Sequence, residues 1–101
     1  NYKWEALEVV LGAEDDWRSA EEALLGAAND AIGGYQNEAR DQMKQMEKTF
    51  AFHPIHTDAR VFVAPCSEGQ IRLLLRVPVP VRGARATQDE ILRGHLSRMA
   101  P

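Results

Sequence analysis

A ten-residue stretch, Gln70 to Val79, constrains the fold of this chain more than any other feature, because every second residue in it is aliphatic. The odd-numbered positions are all aliphatic: Ile71, Leu73, Leu75, Val77 and Val79. The other positions hold Arg72, Leu74, Arg76 and Pro78. A period of two predicts a β-strand with one face in a core. Pro78 and Pro80 place its end at a sheet edge or beyond the hydrogen-bonded ladder.

Two further segments are predicted to lie beside this strand. Arg60–Ala64 precedes it and is joined to it by Pro65–Gly69, a glycine-containing turn, so the two form a hairpin. Tyr2–Leu11 also alternates, with Leu7, Val9 and Leu11 against Ala6, Glu8 and Val10. This pattern predicts a third strand with one buried face.

A helix that can cover the sheet follows the first strand. Its apolar stripe has helical spacing: Trp17, Ala20, Leu24, Ala28, Ala31 and Tyr35, widened by Leu25 and Ile32. Asp15 or Asp16 can cap its start. The stripe continues in phase through Ala39, Met43, Met46 and Phe50. Gly33 and Gly34 interrupt it at about 1 kcal/mol each relative to alanine, which favours one long helix that bends there or projects from the core.

The rest of the chain predicts a loop and a second helix. Phe52–Asp58 is expected to be a loop, because Pro54 stops a helix. Thr87 to Glu90 reads as a capping box, and the residues after it form an apolar side: Ile91, Leu92, His95, Leu96 and Met99. We expect His95 to be packed inside. The prediction is one α+β domain over residues 1–101, a ferredoxin-like sandwich of order β-α-β-β-α with helices on one face of an antiparallel sheet.

Composition narrows the classes of partner and compartment. The chain has 12 basic and 15 acidic residues, a net charge of -3, which argues against nucleic acid as the main partner. A single cysteine, Cys66, excludes an internal disulfide and indicates a reducing, intracellular compartment. No apolar run approaches the roughly 20 residues that cross a bilayer. Because the chain starts at Asn1 and stops at Pro101, we expect both ends to be cuts in a longer protein.

Candidate catalytic and metal-ligating residues are few. His53 and His56 form a His-x-x-His pair beside Asp58, a donor set that suits zinc, but two ligands that straddle a proline lack a rigid scaffold, and a polar loop is the favoured interpretation. Cys66 lies in a hairpin turn, without the glycine-rich or helix-terminus context of a reactive cysteine. The glycines match neither the dinucleotide-binding nor the Walker pattern. We therefore expect no catalytic, cofactor-binding or metal-ligating residues and no enzymatic activity.

Three segments of the chain, read together, resemble the carboxy-terminal cytoplasmic domain of small-conductance mechanosensitive channels. Leu7–Trp17, continued by Ala20–Ala28, is similar to that family's first strand, acidic turn and helix with a leucine pair. Ala59–Val63 is similar to its second strand. Ile71–Val79 is similar to its long third strand, and Glu90–Leu92 falls in the helix that follows.

The chain departs from the family pattern in three places. Ala13 stands where the family has a tyrosine before the acidic turn. Residues 36–52 read as a helical insertion between the first helix and the second strand. The final strand expected after the last helix is missing, which we interpret as truncation at Pro101.

The resemblance implies a function in assembly and solute passage. The parent would be a homo-oligomeric ion channel of the cell membrane, opened by bilayer tension during osmotic downshock. This segment would form part of its cytoplasmic vestibule, with other copies of itself as partners and no small-molecule substrate. Two pairs of residues are candidates for a subunit-contact or portal surface: Arg72 and Arg76, and Met43 and Met46. A solvated face for the arginines and simple packing for the methionines are the alternatives.

Two other functions fit the same architecture. A soluble regulatory module could bind a small ligand at strand edges or at a dimer interface. An acylphosphatase-like enzyme is disfavoured, because the turn Gly12–Asp16 is acidic where a phosphate cradle is neutral or basic.

Overall fold

The structure is a computed structural model that describes residues 2–50, 59–67 and 69–100. It contains three strands and three helices in the order β1 (Tyr2–Gly12), α1 (Trp17–Ile32), α2 (Gln36–Phe50), β2 (Arg60–Pro65), β3 (Gln70–Pro80) and α3 (Ala84–Met99). The strands form one antiparallel sheet in the order β1-β3-β2. The α+β class and the three predicted strands are therefore confirmed.

Strand β3 lies in the centre of the sheet and pairs on both sides. The β1–β3 ladder covers all residues of both strands, from Tyr2 opposite Pro80 onward. The shorter β2–β3 ladder begins with Arg60 opposite Arg76. In both ladders odd-numbered residues lie opposite odd-numbered residues. One face of the sheet therefore carries the odd-numbered residues of all three strands, and the other face carries the even-numbered ones.

The odd-numbered face is the one that α1 and α3 cover. Seven large aliphatic side chains at 0 % exposure form the centre of the core between the sheet and these helices: Leu24, Ile32, Leu73, Leu75, Val77, Val79 and Ile91. Leu7, Val9 and Leu11 of β1 pack against this core. The alternation of β3 therefore does separate a buried face from an outer one. The two helices also approach closely, since a Cβ at Gly94 would lie 3.1 Å from the Cβ of Ala27.

The prolines of β3 occupy a region where the strand has one partner instead of two. Pro78 and Pro80 pair with β1, whereas the β2 ladder ends at Arg76. The carbonyl of Pro78 accepts a hydrogen bond from the Tyr35 hydroxyl at 2.8 Å, so its backbone polar side points away from β1. The prediction that the prolines lie beyond a ladder is confirmed for β2, although β3 is not an edge strand.

The predicted long helix is two helices. Helix α1 ends at Ile32, Gly33 to Tyr35 form a turn, and α2 starts at Gln36. The Tyr35 amide donates to the Ile32 carbonyl at 3.0 Å. The Tyr35 ring stacks on Tyr2 at 5.1 Å between centroids, so this joint is attached to the sheet. The two glycines, which lower helix propensity, lie at the break.

The last helix begins earlier than the sequence indicates. Its N-cap is Gly83, with a φ of 81°, and helical geometry starts at Ala84. The Thr87 hydroxyl donates to the Gly83 carbonyl at 3.3 Å from inside the helix. The predicted capping box is therefore wrong, because the left-handed glycine turns the chain into the helix one turn before Thr87.

Helix α3 also buries fewer of its apolar residues than the sequence predicts. Ile91 and His95, one turn apart, are buried, whereas Leu96 is 67 % exposed and Met99 42 % exposed. Leu96 is rotated by about 100° from His95 around the helix and therefore turns away from the sheet. Met99 is the last residue of the helix, two turns beyond Ile91.

Candidate functional site

The sequence offered a metal-binding pair and a lone cysteine as candidate chemistry. Within residues 2–50, 59–67 and 69–100, no three His, Cys, Asp or Glu side chains are arranged to hold a metal ion. His53, His56 and Asp58 lie outside the described residues, so the interpretation of that segment as a polar loop stays a prediction. Cys66 is exposed in the turn between β2 and β3, where its amide donates to the Gln70 carbonyl at 3.2 Å.

The acidic turn before α1 has a structural role. One Asp16 carboxylate oxygen accepts from the Ser19 amide at 3.2 Å, and the other accepts from the Ser19 hydroxyl at 2.6 Å. These hydrogen bonds stabilise the charged form and lower the pKa of Asp16 below its usual value. Asp15 accepts from the Gly12 amide at 2.8 Å. The prediction that one of the two aspartates caps the helix is confirmed for Asp16.

His95 is the buried polar side chain of the core. It is 5 % exposed, and its Nδ1 has no hydrogen-bond partner among the described residues. Burial disfavours the charged imidazolium and lowers the pKa of His95 below its ordinary value. Its predicted position inside the fold is confirmed.

The even-numbered face of the sheet, which we call the open face, lies opposite the layer of α1 and α3. It carries ten residues: Trp4, Ala6, Glu8 and Val10 from β1; Arg72, Leu74 and Arg76 from β3; Arg60, Phe62 and Ala64 from β2. One row reads Ala6, Arg76, Arg60 and the next reads Glu8, Leu74, Phe62. Pro78 has the same parity but is buried.

Apolar side chains of the open face are accessible to solvent. Phe62 is 49 % exposed and Val10 is 46 % exposed, and Leu74 lies between their strands with partial exposure. Exposed large apolar groups that gather on one face, next to charged residues, are typical of an interaction surface. The open face has this character.

The charges of the open face are unbalanced. Arg60 and Arg76 are directly opposite each other in the ladder, and both are exposed. The guanidinium carbon of Arg76 lies 5.5 Å from the centre of the Trp4 ring, a cation–π contact. Arg72 Nε lies 4.0 Å from Glu8 Oε1 and makes no hydrogen bond. Three arginines therefore share this face with one carboxylate.

Two of the four predicted surface residues belong to this site. Arg72 and Arg76 lie on the open face, two residues apart on β3. Met43 and Met46 belong to α2, but their side chains lie outside the described part of the structure. The sequence did not single out the remaining members of the face, because their grouping depends on the register of β1 and β2 against β3, which the alternation of β3 alone does not fix.

A recess, separate from the open face, lies where β1 begins and β3 ends. It is lined by Tyr2, Pro80, Val81 and Arg82 and has a volume of about 330 Å³. The Tyr2 hydroxyl donates to Glu38 Oε2 at 3.0 Å, and Tyr35 stacks behind it. Partial burial raises the pKa of Tyr35 to about 12, so this hydroxyl stays protonated and remains a donor at neutral pH.

Neither the helices nor comparison with other proteins adds a further assignment. Among the described residues, no helix has both the length and the apolar character needed to cross a bilayer. No protein-family model matches the chain, and no curated protein or solved structure matches it. The open face is therefore the candidate functional site on the strength of its own geometry.

Proposed function

We propose that this chain is a cytoplasmic vestibule and assembly domain of a homo-oligomeric mechanosensitive ion channel. The observation that carries the proposal is the arrangement of the three segments that resemble this channel family. They correspond to β1 with α1, to β2, and to β3 with α3, and they pack into one sheet and one helical layer. Segments that are distant along the chain thus meet in one α+β unit, and this supports the proposal.

The strand order supports the finer assignment of a ferredoxin-like sandwich. Both β1 and β2 run antiparallel to β3, so they run parallel to each other with β3 between them. This is the split β-α-β arrangement on which the ferredoxin-like sandwich is built. Residues 36–50, between α1 and β2, form a helix and not a strand of the sheet, which agrees with their interpretation as an insertion.

A vestibule domain works through geometry and charge. Subunits surround a hollow space on the cytoplasmic side of the membrane, and gaps between them admit solutes according to size and charge. The open face supplies an accessible surface with Phe62, Arg72 and Arg76, suited to a subunit contact or to the wall of a portal. In this proposal Met43 and Met46 of α2 add contacts or narrow a portal.

The first test is the coding sequence upstream of Asn1, followed by a test of channel activity. We expect hydrophobic spans there, the last of them rich in glycine and alanine. The full-length parent, expressed in bacteria that lack mechanosensitive channels, should restore survival after osmotic downshock. Tension-activated currents should appear in membrane patches from the same cells.

A matched control separates loss of this domain from loss of the pore. A parent truncated before Asn1 keeps the membrane spans and lacks the vestibule segment, and its membrane abundance is measured together with its currents. An upstream region that encodes a catalytic or DNA-binding domain in place of membrane spans would contradict the proposal.

A second function is favoured by the recess at Tyr2, Pro80, Val81 and Arg82. A soluble regulatory module of the same architecture would hold a small ligand there, with the Arg82 guanidinium as an anchor for an anionic group. A thermal-shift screen of amino acids and nucleotides tests this, since a ligand at 100 times its dissociation constant stabilises by about 2.7 kcal/mol. A shift that is lost in Arg82→Gln and retained in Arg85→Gln would support this alternative.

A further inference from the structure

We propose that the open face binds helix α1 of a second copy of this chain, head to tail. This inference rests on the proposed function for its expectation of a homo-oligomer, and it adds which two surfaces meet. Arg60 and Arg76 on one copy would pair with Glu21 and Glu22 on the next. The apolar centre of the open face would be covered by the same contact.

The open face calls for a negatively charged partner. Like charges directly opposite each other in an antiparallel ladder destabilise the pair, and Arg60 and Arg76 occupy such a position. Arg76 is held over Trp4, so its guanidinium is oriented before any partner binds. Phe62 and Leu74 lie in the adjacent row. The complementary surface must therefore offer carboxylates next to groups that exclude water from Phe62.

The chain carries a concentration of carboxylates on its other side. Residues 14–30 contain six carboxylates and one arginine. Asp30 pairs with Arg98, and Asp16 caps α1. Glu21 and Glu22 follow on α1, and neither forms an ion pair within the described part of the chain. These carboxylates are free to meet a positive surface.

The positions of the two surfaces decide the symmetry of the contact. Helix α1 packs on the odd-numbered face, so its outer carboxylates and the open face lie on opposite sides of one molecule. Two open faces placed against each other would bring Arg60 and Arg76 against their own copies. The complementary contact is therefore heterologous, and such contacts close into rings when the rotation between neighbours permits.

A polyanion is a weaker candidate for this face. The chain as a whole has a net charge of -3, and its acidic residues repel a nucleic acid that approaches from most directions. A neighbouring copy brings its carboxylates at fixed positions, together with its own arginines. The charge distribution of the chain thus fits a partner of the same composition.

The test is charge reversal on the 101-residue chain, followed by sedimentation velocity. Arg60→Glu/Arg76→Glu and, separately, Glu21→Lys/Glu22→Lys should each weaken self-association at least about tenfold. Mixing the two variants should restore association, because each supplies the surface that the other lacks. Wild-type association should weaken as salt rises from about 0.1 M to about 1 M, where the screening length falls from about 10 Å to about 3 Å.

The matched control is Arg85→Glu/Arg93→Glu, which makes the same change in net charge as Arg60→Glu/Arg76→Glu at exposed positions of α3. It should self-associate like the wild-type chain. Circular dichroism of every variant verifies the fold, since Arg60, Arg76 and Glu22 are exposed and Glu21 is partly buried. A variant that loses its fold is replaced by the neutral Arg60→Gln/Arg76→Gln or Glu21→Gln/Glu22→Gln version, which should weaken association in the same direction.

Three results would overturn the inference. The chain could remain monomeric up to about 1 mM in low salt; the mixture of the two variants could fail to associate; or a single-stranded oligonucleotide could bind at Arg60 and Arg76 of a monomer. These failures are distinct from failure of the channel proposal. A parent without membrane spans refutes the channel and leaves the head-to-tail contact intact, whereas an assembled channel indifferent to both charge reversals refutes the contact alone.

Discussion

Removal of one hydroxyl group, in Tyr35→Phe, should loosen the joint between the helices and the sheet. The Tyr35 hydroxyl donates to the Pro78 carbonyl at 2.8 Å, at a point where β3 no longer has β2 as a neighbour. Phenylalanine keeps the ring that stacks on Tyr2. The substitution therefore isolates the hydrogen bond from the packing.

The expected loss follows from what remains after the substitution. A typical intramolecular hydrogen bond contributes about 0.5–1.5 kcal/mol, and a buried acceptor left without a partner costs about 1–3 kcal/mol. Pro78 is fully buried, whereas Tyr35 is half-buried and admits some water. We expect the free energy of unfolding to fall by about 1–2 kcal/mol, at about 4–8 °C of melting temperature for each kcal/mol in a domain of this size.

Thermal and urea denaturation measure this loss, and alkaline titration of tyrosine absorbance provides a second readout. The tyrosine with a pKa of about 12 should disappear from the titration of the variant. Tyr2→Phe is the matched control, because its hydroxyl bonds to Glu38 at the surface, and its stability should stay near that of the wild type. Equal stability of Tyr35→Phe and the wild type would refute the assigned role of this bond.

Two further predictions follow from a buried histidine and from two glycines. Because burial lowers the pKa of His95, the unfolded chain takes up a proton near pH 6.5 before the folded one does, so stability should fall as pH decreases below about 6.5. Urea midpoints of the wild type should show a larger fall than those of His95→Leu, and an equal pH dependence of the two proteins would contradict this. Gly83→Ala should destabilise the fold by about 1 kcal/mol, because the φ of Gly83 is 81°. Gly34 has no positive φ and has open space where a Cβ would be added, so Gly34→Ala should be neutral or stabilising by up to about 1 kcal/mol. Melting temperatures of the two variants that shift in the same direction would refute this distinction.

Local patterns predicted the strands and the core correctly. The alternation of β3 separates buried from outer residues, because a period of two is a direct property of the extended backbone. The stripe of α1 likewise placed Leu24 and Ile32 in the core. It passed over Ala23 and Ala27, which are buried as well. Small side chains give a weak hydrophobic signal, and here their burial reflects the close approach of α3.

Helix boundaries depended on conformations that polarity does not encode. Thr87 to Glu90 has the composition of a capping box, yet Gly83 begins α3 with a left-handed φ. Glycine allows that φ without requiring it, so the earlier start was not evident from the sequence. The continuous stripe across Gly33 and Gly34 similarly masked the break between α1 and α2.

Only part of the open face could be predicted from the sequence. The parity of Arg72 and Arg76 on one strand is a local property, and it identified both as outer residues. Their grouping with Arg60 depends on the pairing of β2 with β3, and the contact of Arg76 with Trp4 depends on the register of β1. The turn between β2 and β3 sets the register of that pair, and packing between distant segments sets the register of β1, so the alternation of β3 alone fixes neither.

The prolines at the end of β3 affect where a strand of another chain can add to the sheet. Proline has no N–H to donate, and Pro78 and Pro80 remove two donors on the side where β2 stops. A foreign strand that approaches from that side finds no continuous row of donors, so this corner resists templated aggregation. Of the two outer edges of the sheet, that of β1 is eleven residues long and without a proline, whereas that of β2 is six residues long and ends at Pro65. We therefore expect domain swapping or fibre formation by this protein to proceed through the edge of β1.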